Sequence, residues 1–160
     1  MHQHTITVLV ENEFGVLARV AGMFAARGYN IDSLVVAPTF DPKMSRMTLV
    51  TTGSELIIEQ ILKQLNRLID VVKVQDLTGE NFISRETVLL KIKADQNFKV
   101  SLLEEIKSFH FEVVEDTSTF ITLQLTGEKE KIDSFLKKIP SGGILELVRT
   151  GVIAIQRGEN

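Results

Sequence analysis

The residues best suited to bind a ligand lie in a short polar segment near the beginning of the chain, residues 11–17. This segment follows an alternating stretch typical of a strand, and it contains Gly15 just before apolar residues with helical spacing. The N–H groups in the first turn of a helix have no partners within the helix, so they attract carboxylates and phosphates. Because Gly15 has no side chain, a ligand can approach the main chain there. The segment therefore predicts a site for a small anion, formed by main-chain amides.

A simpler interpretation of the same residues stays open. A strand, a loop with one glycine and a helix form a common combination in proteins. In that interpretation Gly15 serves only the turn, and Asn12 serves only as the cap of the helix. The residue types alone do not separate a ligand site from an ordinary connection.

The elements that would hold this segment follow from the periodicity of the apolar residues. Strict alternation predicts a strand, and spacing of i, i+3, i+4 and i+7 predicts one face of a helix. In the first half these patterns predict strand, helix, strand, strand, helix and strand, over residues 5–10, 17–27, 31–37, 46–52, 58–69 and 71–77. The apolar face of the first helix is predicted to consist of Leu17, Val20, Ala21 and Phe24. This order is typical of a ferredoxin-like βαββαβ unit, an antiparallel sheet with both helices on one face.

The same order of elements recurs in the second half. It covers residues 87–94, 100–109, 111–114, 119–125, 132–139 and 144–155, with the last strand interrupted at Gly151. We therefore predict an α+β fold of two ferredoxin-like βαββαβ units, residues 1–78 and residues 87–160. Residues 79–86 are polar and without period, and they are predicted to form a linker. Phe82 and Ile83 within this linker indicate that it packs against another part of the chain.

The loop between the first strand and the first helix differs between the two predicted units. In the second unit, residues 95–99 read Asp-Gln-Asn-Phe-Lys and contain no glycine. The close approach to the main chain that Gly15 offers is absent there. A ligand site in this loop is therefore expected in the first unit only.

The composition excludes several classes of function. With 160 residues, of which 44% are hydrophobic and 24% charged, the chain is long enough for one domain or two small ones. A net charge of -3 gives no electrostatic basis for binding nucleic acid, and the absence of cysteine excludes disulfides, thiolate metal sites and a cysteine nucleophile. No apolar run approaches the roughly 20 residues of a membrane span, and the N-terminus has no signal-peptide pattern. We therefore expect a cytoplasmic protein that binds neither nucleic acid nor membrane.

The sequence offers little support for catalysis or for metal binding. His2 and His4 share one face of the first strand, but no third ligand is near them in the sequence. An enzyme would need titratable groups that converge in a cleft, and the sequence provides few candidates. A ligand-responsive transcription factor would need a helix-turn-helix or a basic region, and none remains once both units are assigned. No catalytic and no metal-ligating residue is therefore predicted.

Several motifs of the first unit together resemble one known family. Residues 11–20, Glu-Asn-Glu-Phe-Gly-Val-Leu-Ala-Arg-Val, and residues 27–34, Arg-Gly-Tyr-Asn-Ile-Asp-Ser-Leu, resemble the ACT domain, a small amino-acid-sensing module of metabolic enzymes. Two further motifs make the resemblance more specific, namely Val-Ala-Pro-Thr at residues 36–39 and Ser-Arg-Met-Thr at residues 45–48. With them, the first unit closely resembles the small regulatory subunits of acetolactate synthase, also called acetohydroxyacid synthase.

Motifs of the second half fit the same family, namely Arg-Glu at residues 85–86, Leu-Leu-Lys-Ile at 89–92 and Arg-Thr-Gly-Val at 149–152. The resemblance implies a chain without an active site that binds the large catalytic subunit, raises its activity and makes it sensitive to a branched-chain amino acid, usually valine. In this family the large subunit condenses two pyruvates, or pyruvate with 2-oxobutyrate, using thiamine diphosphate, Mg²⁺ and FAD. The reaction serves the biosynthesis of valine, leucine and isoleucine. The small subunit itself is expected to hold no cofactor.

The resemblance also implies a homodimer, because the family's effector site lies between the ACT domains of two small subunits. Edge-to-edge pairing of two copies would satisfy the main-chain groups that a small open sheet leaves unpaired. The effector-binding residues carried over by the resemblance are Asn12, Gly15 and Asn30, and the residues next to them add Val16, Leu17 and Ile31 to the expected site. N–H groups around the glycine and the valine would bind the effector's carboxylate, and the side-chain carbonyls of the asparagines its ammonium group. The leucine and the isoleucine would border the pocket or belong to the core.

Overall fold

The computed structural model describes residues 2–93, 95–140 and 142–158. The chain divides into two compact units, the first formed by residues 1–83 with 152–160 and the second by residues 84–151. Five positions that fall inside the predicted units lie outside the described residues, namely Met1, Ala94, Ser141, Glu159 and Asn160. None of the helices in the described ranges has the length and apolar character needed to cross a bilayer.

The first unit contains a four-stranded antiparallel sheet and two helices. In chain order its elements are β1 (His2–Glu11), α1 (Val16–Ala26), β2 (Ser33–Pro38), β3 (Met44–Gly53), α2 (Glu55–Leu65) and β4 (Val71–Asp76). The strand order is β2-β3-β1-β4, so β2 and β4 form the two edges. β1 pairs with β3 along its whole length, from His2 opposite Gly53 to Glu11 opposite Met44. The predicted βαββαβ order is confirmed.

Alternation along β1 decides which face of the first sheet carries the helices. Ile6, Val8 and Val10 are fully buried and share a core with Phe24 of α1 and Ile61 of α2. Both helices therefore pack on the same face of the sheet, as predicted. The intervening residues of β1 face the other side.

The buried face of α1 differs from the predicted one. The helix buries Val16, Val20, Met23 and Phe24. Leu17 is 42% exposed, so its predicted position on the buried face is wrong. The sequence also allows a second apolar stripe that contains Val16 and Met23, because both residues are apolar and lie seven residues, about two helical turns, apart. Packing against the sheet, which the local pattern does not encode, selects between them.

The second unit repeats the arrangement. Its elements are β5 (Phe82–Lys93), α3 (Gln96–Glu105), a short 3-10 helix (Ile106–Ser108), β6 (His110–Asp116), β7 (Phe120–Gly127), α4 (Lys129–Leu136) and β8 (Ile144–Arg149). The strand order is β6-β7-β5-β8, and all these pairs are antiparallel. Leu90 of β5 shares a core with Leu102 of α3 and Ile132 of α4, so both helices again cover one face. The predicted pair of ferredoxin-like units is confirmed.

The expected linker over residues 79–86 is in part a strand, since β5 begins at Phe82. Glu86, which made this stretch look polar, is buried and accepts two hydrogen bonds from Arg149, at 2.7 and 2.6 Å. The partner lies 63 residues further along the chain, so the local sequence gave no sign that this charge would be buried. Phe82 and Ile83 are half-buried.

The end of the chain also differs from the expected boundary of the second unit. As predicted, the last strand is interrupted at Gly151, which has a φ of 86° and separates β8 from a final strand, β9 (Ile153–Gln156). β9 pairs with β5, and the residues after Gly151 group with the first unit. The Val152 N–H donates to Ser33 Oγ at 3.3 Å, and Gln75 Nε2 donates to Gln156 Oε1 at 2.6 Å.

These two contacts show where the final segment lies on the first sheet. Ser33 belongs to the edge strand β2 and Gln75 to the opposite edge strand β4. Ser33 pairs with Val50 and Gln75 pairs with Thr7, and both partners lie on the face of the sheet away from the helices. Ser33 and Gln75 therefore lie on that face as well. The final segment therefore crosses that face from edge to edge, which explains why Thr48 and Val50 are buried there.

Candidate functional site

The loop between β1 and α1 presents an uncapped helix start. Gly15 occupies the N-cap position with a φ of 82°, and no side chain caps the helix. The Val16 N–H donates to the Glu13 carbonyl at 3.4 Å, but no described residue accepts a hydrogen bond from the N–H of Leu17 or Ala18. Leu17 and Ala18 are exposed residues, as are Glu13 and Gly15 before them. An uncapped helix start of this kind is the geometry that a site for a small anion would need.

Gly15 has two separate roles in this loop. Its left-handed conformation is one that residues with a side chain rarely adopt, so the turn itself requires glycine. A Cβ atom at this position would also lie 3.0 Å from Nη1 of Arg19. The simpler interpretation of Gly15 as a turn residue is thus correct, and it does not compete with ligand binding.

Asn12 fastens this loop to the loop between β2 and β3. Its main-chain N–H donates to the Lys43 carbonyl at 2.7 Å, and its Nδ2 donates to the Pro42 carbonyl at 2.9 Å. The interpretation of Asn12 as the helix cap is therefore wrong. Since both donors point to the neighbouring loop, the side-chain oxygen of Asn12 remains as an acceptor for a ligand.

Arg19 and Asp70 support the loop from the side of α1. Arg19 Nε donates to Asp70 Oδ2 at 2.6 Å, and the Glu11 N–H donates to the Asp70 carbonyl at 2.9 Å. The hydrogen bond to Asp70 raises the pKa of Arg19 above its ordinary value, so the guanidinium stays charged beside the helix start. The sequence analysis missed both residues. They lie 51 positions apart, and no local spacing connects them.

Asn30 and Ile31 lie at the opposite end of the first sheet. The Asn30 carbonyl accepts a hydrogen bond from Thr51 Oγ1 at 2.6 Å, and Thr51 pairs with His4 near the beginning of β1. Asn12, by contrast, directly follows the end of β1. The strand between the two points is about 23 Å long at roughly 3.3 Å per residue. One chain therefore does not bring the predicted asparagines together.

The remaining predicted residues differ in what their side chains can offer. Val16 is buried in the first core, so only its main chain is available to a ligand. Leu17 is exposed beside the free amides and can border a pocket. Ile31 is half-buried against the same core. Asn30 Nδ2 donates to Asp32 Oδ1 at 2.6 Å, which leaves the Asn30 side-chain oxygen as an acceptor.

The equivalent loop of the second unit is closed to anions. Asp95 occupies the N-cap position of α3, and its carboxylate accepts a hydrogen bond from the Phe98 N–H at 2.8 Å. A bound carboxylate would meet the like charge of Asp95 there. This difference supports the expectation that only the first unit carries a site.

The two histidines of β1 differ in burial and in contacts. His2 is exposed, whereas His4 is buried with its Nδ1 2.9 Å from Asp76 Oδ2. Across residues 2–93, 95–140 and 142–158, no group of three or more His, Asp or Glu side chains is placed to hold a metal ion.

Two family models match the chain and together cover most of it. The model described as "AHAS small subunit-like ACT domain" matches residues 6–73. The model described as "Small subunit of acetolactate synthase" matches residues 85–158. The first match contains the uncapped helix start, and the second begins within β5.

Known proteins of similar length resemble the chain from end to end. It is 43% identical to the acetolactate synthase isozyme 3 small subunit of Salmonella typhimurium, over 96% of this chain and 95% of that protein. It is 41% identical to the acetolactate synthase small subunit of Mycolicibacterium smegmatis, over 97% of this chain and 91% of that protein. The crystal structure of the acetolactate synthase small subunit from Thermotoga maritima matches with a TM-score of 0.88 and 31% identity, over 100% of both chains.

Proposed function

Because the chain belongs to the family of acetolactate synthase small subunits, we propose that it binds the catalytic large subunit of that enzyme, raises its activity and makes it sensitive to valine. The chain is a regulatory subunit with an ACT domain, as the motifs at residues 11–20 and 27–34 predicted. In the proposed complex the large subunit holds thiamine diphosphate, Mg²⁺ and FAD and carries out the condensation. The small subunit contributes the effector site, and with it feedback control of branched-chain amino-acid biosynthesis.

The positions of Asn12 and Asn30 are the main support for an effector site shared by two copies. The two residues lie at opposite ends of one sheet, with about 23 Å of strand β1 between them at roughly 3.3 Å per residue. A bound amino acid spans only a few ångströms. A site that uses both asparagines must therefore take one from each of two copies related by a two-fold axis.

The edge strand β2 offers a way to build this dimer. It contains no charged residue, whereas the opposite edge strand β4 contains Lys73 and Asp76. Charged side chains discourage strand pairing at an edge, so β2 is the better candidate for pairing with a second copy. Antiparallel pairing of two β2 strands would bring the beginning of one, which follows Asn30, towards the end of the other. That end leads into the loop that Asn12 fastens.

The groups collected in this way match an amino acid. The free N–H groups of Leu17 and Ala18 would bind the carboxylate, with the Arg19 guanidinium nearby. The side-chain oxygens of Asn12 and Asn30 would accept hydrogen bonds from the ammonium group. The exposed Leu17 side chain would contact an aliphatic side chain such as that of valine.

A ligand that contacts both copies couples metabolite concentration to assembly. Valine would stabilise the paired state and leave separated copies unaffected, so the dimer would tighten as the concentration of valine rises. If the catalytic subunit binds one state of the dimer more tightly, the free energy by which valine favours that state would also change the activity of the catalytic subunit. No chemistry on the small subunit is needed for this control.

Reconstitution tests the proposed function directly. The purified chain is titrated into a catalytic large subunit of acetolactate synthase, and acetolactate formation from pyruvate is measured with and without valine. We expect no turnover by the chain alone, an increase on mixing, and inhibition of the mixture by valine. An unchanged rate at saturating amounts of the chain would contradict the proposal.

A further inference from the structure

Two stretches of main chain connect the two units, and hydrogen bonds join them inside the second unit. The chain enters the second unit after Ile83, within β5, and leaves it after Gly151. The Thr150 N–H donates to the Thr87 carbonyl at 3.0 Å, and the Thr87 N–H donates to Thr150 Oγ1 at 3.1 Å. The entering stretch and the leaving stretch are therefore bound to each other and should move together.

Charged side chains bind both stretches to helix α4. Arg149, next to Thr150, donates to the two carboxylate oxygens of Glu86, next to Thr87, at 2.7 and 2.6 Å. Arg149 also donates to Asp133 Oδ1 of α4 at 2.7 Å. The hydrogen bond to Glu86 raises the pKa of Arg149 above its ordinary value, so the guanidinium stays charged. We call Glu86, Arg149 and Asp133 the ion cluster. A two-point contact between guanidinium and carboxylate fixes orientation as well as distance, so the cluster holds the two stretches in one arrangement.

The leaving stretch contacts strand β2 as soon as it returns to the first unit. Gly151 turns the chain with a φ of 86°, and the N–H of the buried Val152 donates to Ser33 Oγ at 3.3 Å. Ser33 is the first residue of β2, the edge strand proposed to pair with a second copy, and it lies three residues after Asn30. A few residues of main chain and one hydrogen bond therefore separate the proposed effector site from the ion cluster.

We propose that this connection transmits the effect of valine binding from the effector site to the second unit, an inference that rests on the proposed function. Valine bound between Asn30 and a second copy would restrain the beginning of β2, and with it the hydrogen bond between Ser33 and Val152. Because Arg149 lies only three residues before Val152, the restraint reaches the ion cluster, which passes it to β5 and α4. The second unit then differs between the free and the valine-bound protein, as allosteric control of a partner requires.

A purely structural role for the ion cluster predicts a different result. Loss of the cluster would then lower the free energy of unfolding, and activation and valine inhibition would both fall with the amount of folded protein. In the proposed role the cluster positions the connecting stretches, so its loss reduces inhibition and spares activation. The comparison of these two responses in folded protein separates the two roles.

Two variants of the connection and one matched control provide the test. Glu86→Leu combined with Arg149→Met removes the buried pair without leaving either charge unpaired. Ser33→Ala removes the acceptor on β2. The control combines Lys99→Met with Asp116→Asn, which removes another ion pair of the second unit with one buried member. That pair joins α3 to β6, at the sheet edge opposite β8.

Three quantities are measured on the full chain of each variant. Calorimetry gives the valine affinity of the chain alone, and titration into a catalytic large subunit of acetolactate synthase gives the activation. The same mixtures at saturating valine give the activity that remains. Urea unfolding identifies the conditions under which every variant is folded, and the assays are made under those conditions.

We expect both test variants to keep the valine affinity and the activation of the wild type, while the activity remaining at saturating valine rises about threefold or more. The control should behave like the wild type in all three measurements. Wild-type inhibition in both test variants would overturn the inference, and so would a parallel loss of activation and inhibition. Loss of valine affinity in both would overturn it as well, because the defect would then lie in the effector site. If the wild-type mixture shows no activation or no response to valine, the proposed function falls and this inference falls with it.

Discussion

Asn12 and Asn30 lie at opposite ends of strand β1. Asn12 follows the last residue of the strand, and Asn30 is bound by Thr51, which pairs with His4 near the strand's beginning. Both side chains use their Nδ2 groups within their own chain, Asn12 to the Pro42 carbonyl and Asn30 to Asp32. Each therefore keeps its side-chain oxygen as an acceptor, and a site that used both oxygens would need a second copy.

Removing either oxygen should weaken valine binding. A hydrogen bond to a charged group contributes about 1.5–3 kcal/mol, so Asn12→Ala and Asn30→Ala should each raise the dissociation constant of valine about tenfold or more. Isothermal titration calorimetry of the purified chain measures this constant. Asn97→Ala, on α3 of the second unit, is the control and should bind valine like the wild type. Wild-type affinity in both test variants would contradict the assignment.

Substitution of Gly15 should destabilise the first unit. In Gly15→Ala the new side chain must adopt a φ of 82°, which costs about 1–2 kcal/mol, and its Cβ would press against Arg19. Gly22→Ala is the matched control. Gly22 lies within α1, and a Cβ there would meet nothing within 4 Å, so this change should stabilise the chain by about 0.5–1 kcal/mol. Urea unfolding of both variants measures the two effects, and equal unfolding midpoints would refute this interpretation of the turn.

The ion pairs around Asp133 predict a loss of stability in acid. Burial acts to raise the pKa of Asp133, but hydrogen bonds from Lys129 and Arg149 outweigh it, so the pKa lies below its ordinary value. A carboxyl whose pKa is lowered by folding stabilises the fold above its unfolded pKa of about 3.9, and this contribution disappears as the pH falls through the folded pKa. The free energy of unfolding should therefore fall as the pH drops below about 4.

Asp133→Asn removes this titration, so its free energy of unfolding should depend less steeply on pH in the same window. Lys129→Met removes one of the two hydrogen-bond donors and should give an intermediate slope. Urea unfolding at a series of pH values from about 5 to 2.5 provides the slopes. Parallel curves for wild type and Asp133→Asn would show that this carboxyl does not govern the acid response.

The final segment of the chain should contribute to the stability of the first unit. Val152 is buried, whereas its neighbour Ile153 is 53% exposed. Val152→Ala removes two buried carbon groups at about 0.8 kcal/mol each, so it should cost about 1–2 kcal/mol. Ile153→Ala removes more atoms but should cost less, because its side chain is already half in water. Chemical denaturation of the two variants compares them, and a larger loss for Ile153→Ala would contradict the position of β9.

The order of elements was predictable largely because the central strands of the two sheets carry their own alternating patterns. Ile6, Val8 and Val10 on β1 are one such series, and Val88, Leu90 and Ile92 on β5 are another. Patterns of this kind depend only on neighbours along the chain. They therefore predict the type of each element and the face that it buries, without any knowledge of its partners.

Features that depend on distant partners were not predictable in this way. Glu86 can be buried in β5 because Arg149 binds its carboxylate, and the loop at Gly15 is supported by the contact between Arg19 and Asp70. No periodicity links such positions. The family was predictable through its motifs, since the residues at 11–20 and 27–34 resemble one family. The separation of Asn12 from Asn30 was not predictable from the motifs, because it follows from the length of β1 and the direction of α1.

Mixing two variants that each bind valine weakly tests most directly whether the effector site is shared between two copies. Asn12→Ala and Asn30→Ala are each prepared, then mixed in equal amounts under conditions that allow the copies to exchange, and valine binding is measured by calorimetry. If each site takes Asn12 from one copy and Asn30 from the other, half of the dimers are mixed, and each mixed dimer has one intact site. We expect about a quarter of the sites to regain wild-type affinity for valine. No recovery after demonstrated exchange would contradict a shared site, as would full wild-type binding by either variant alone.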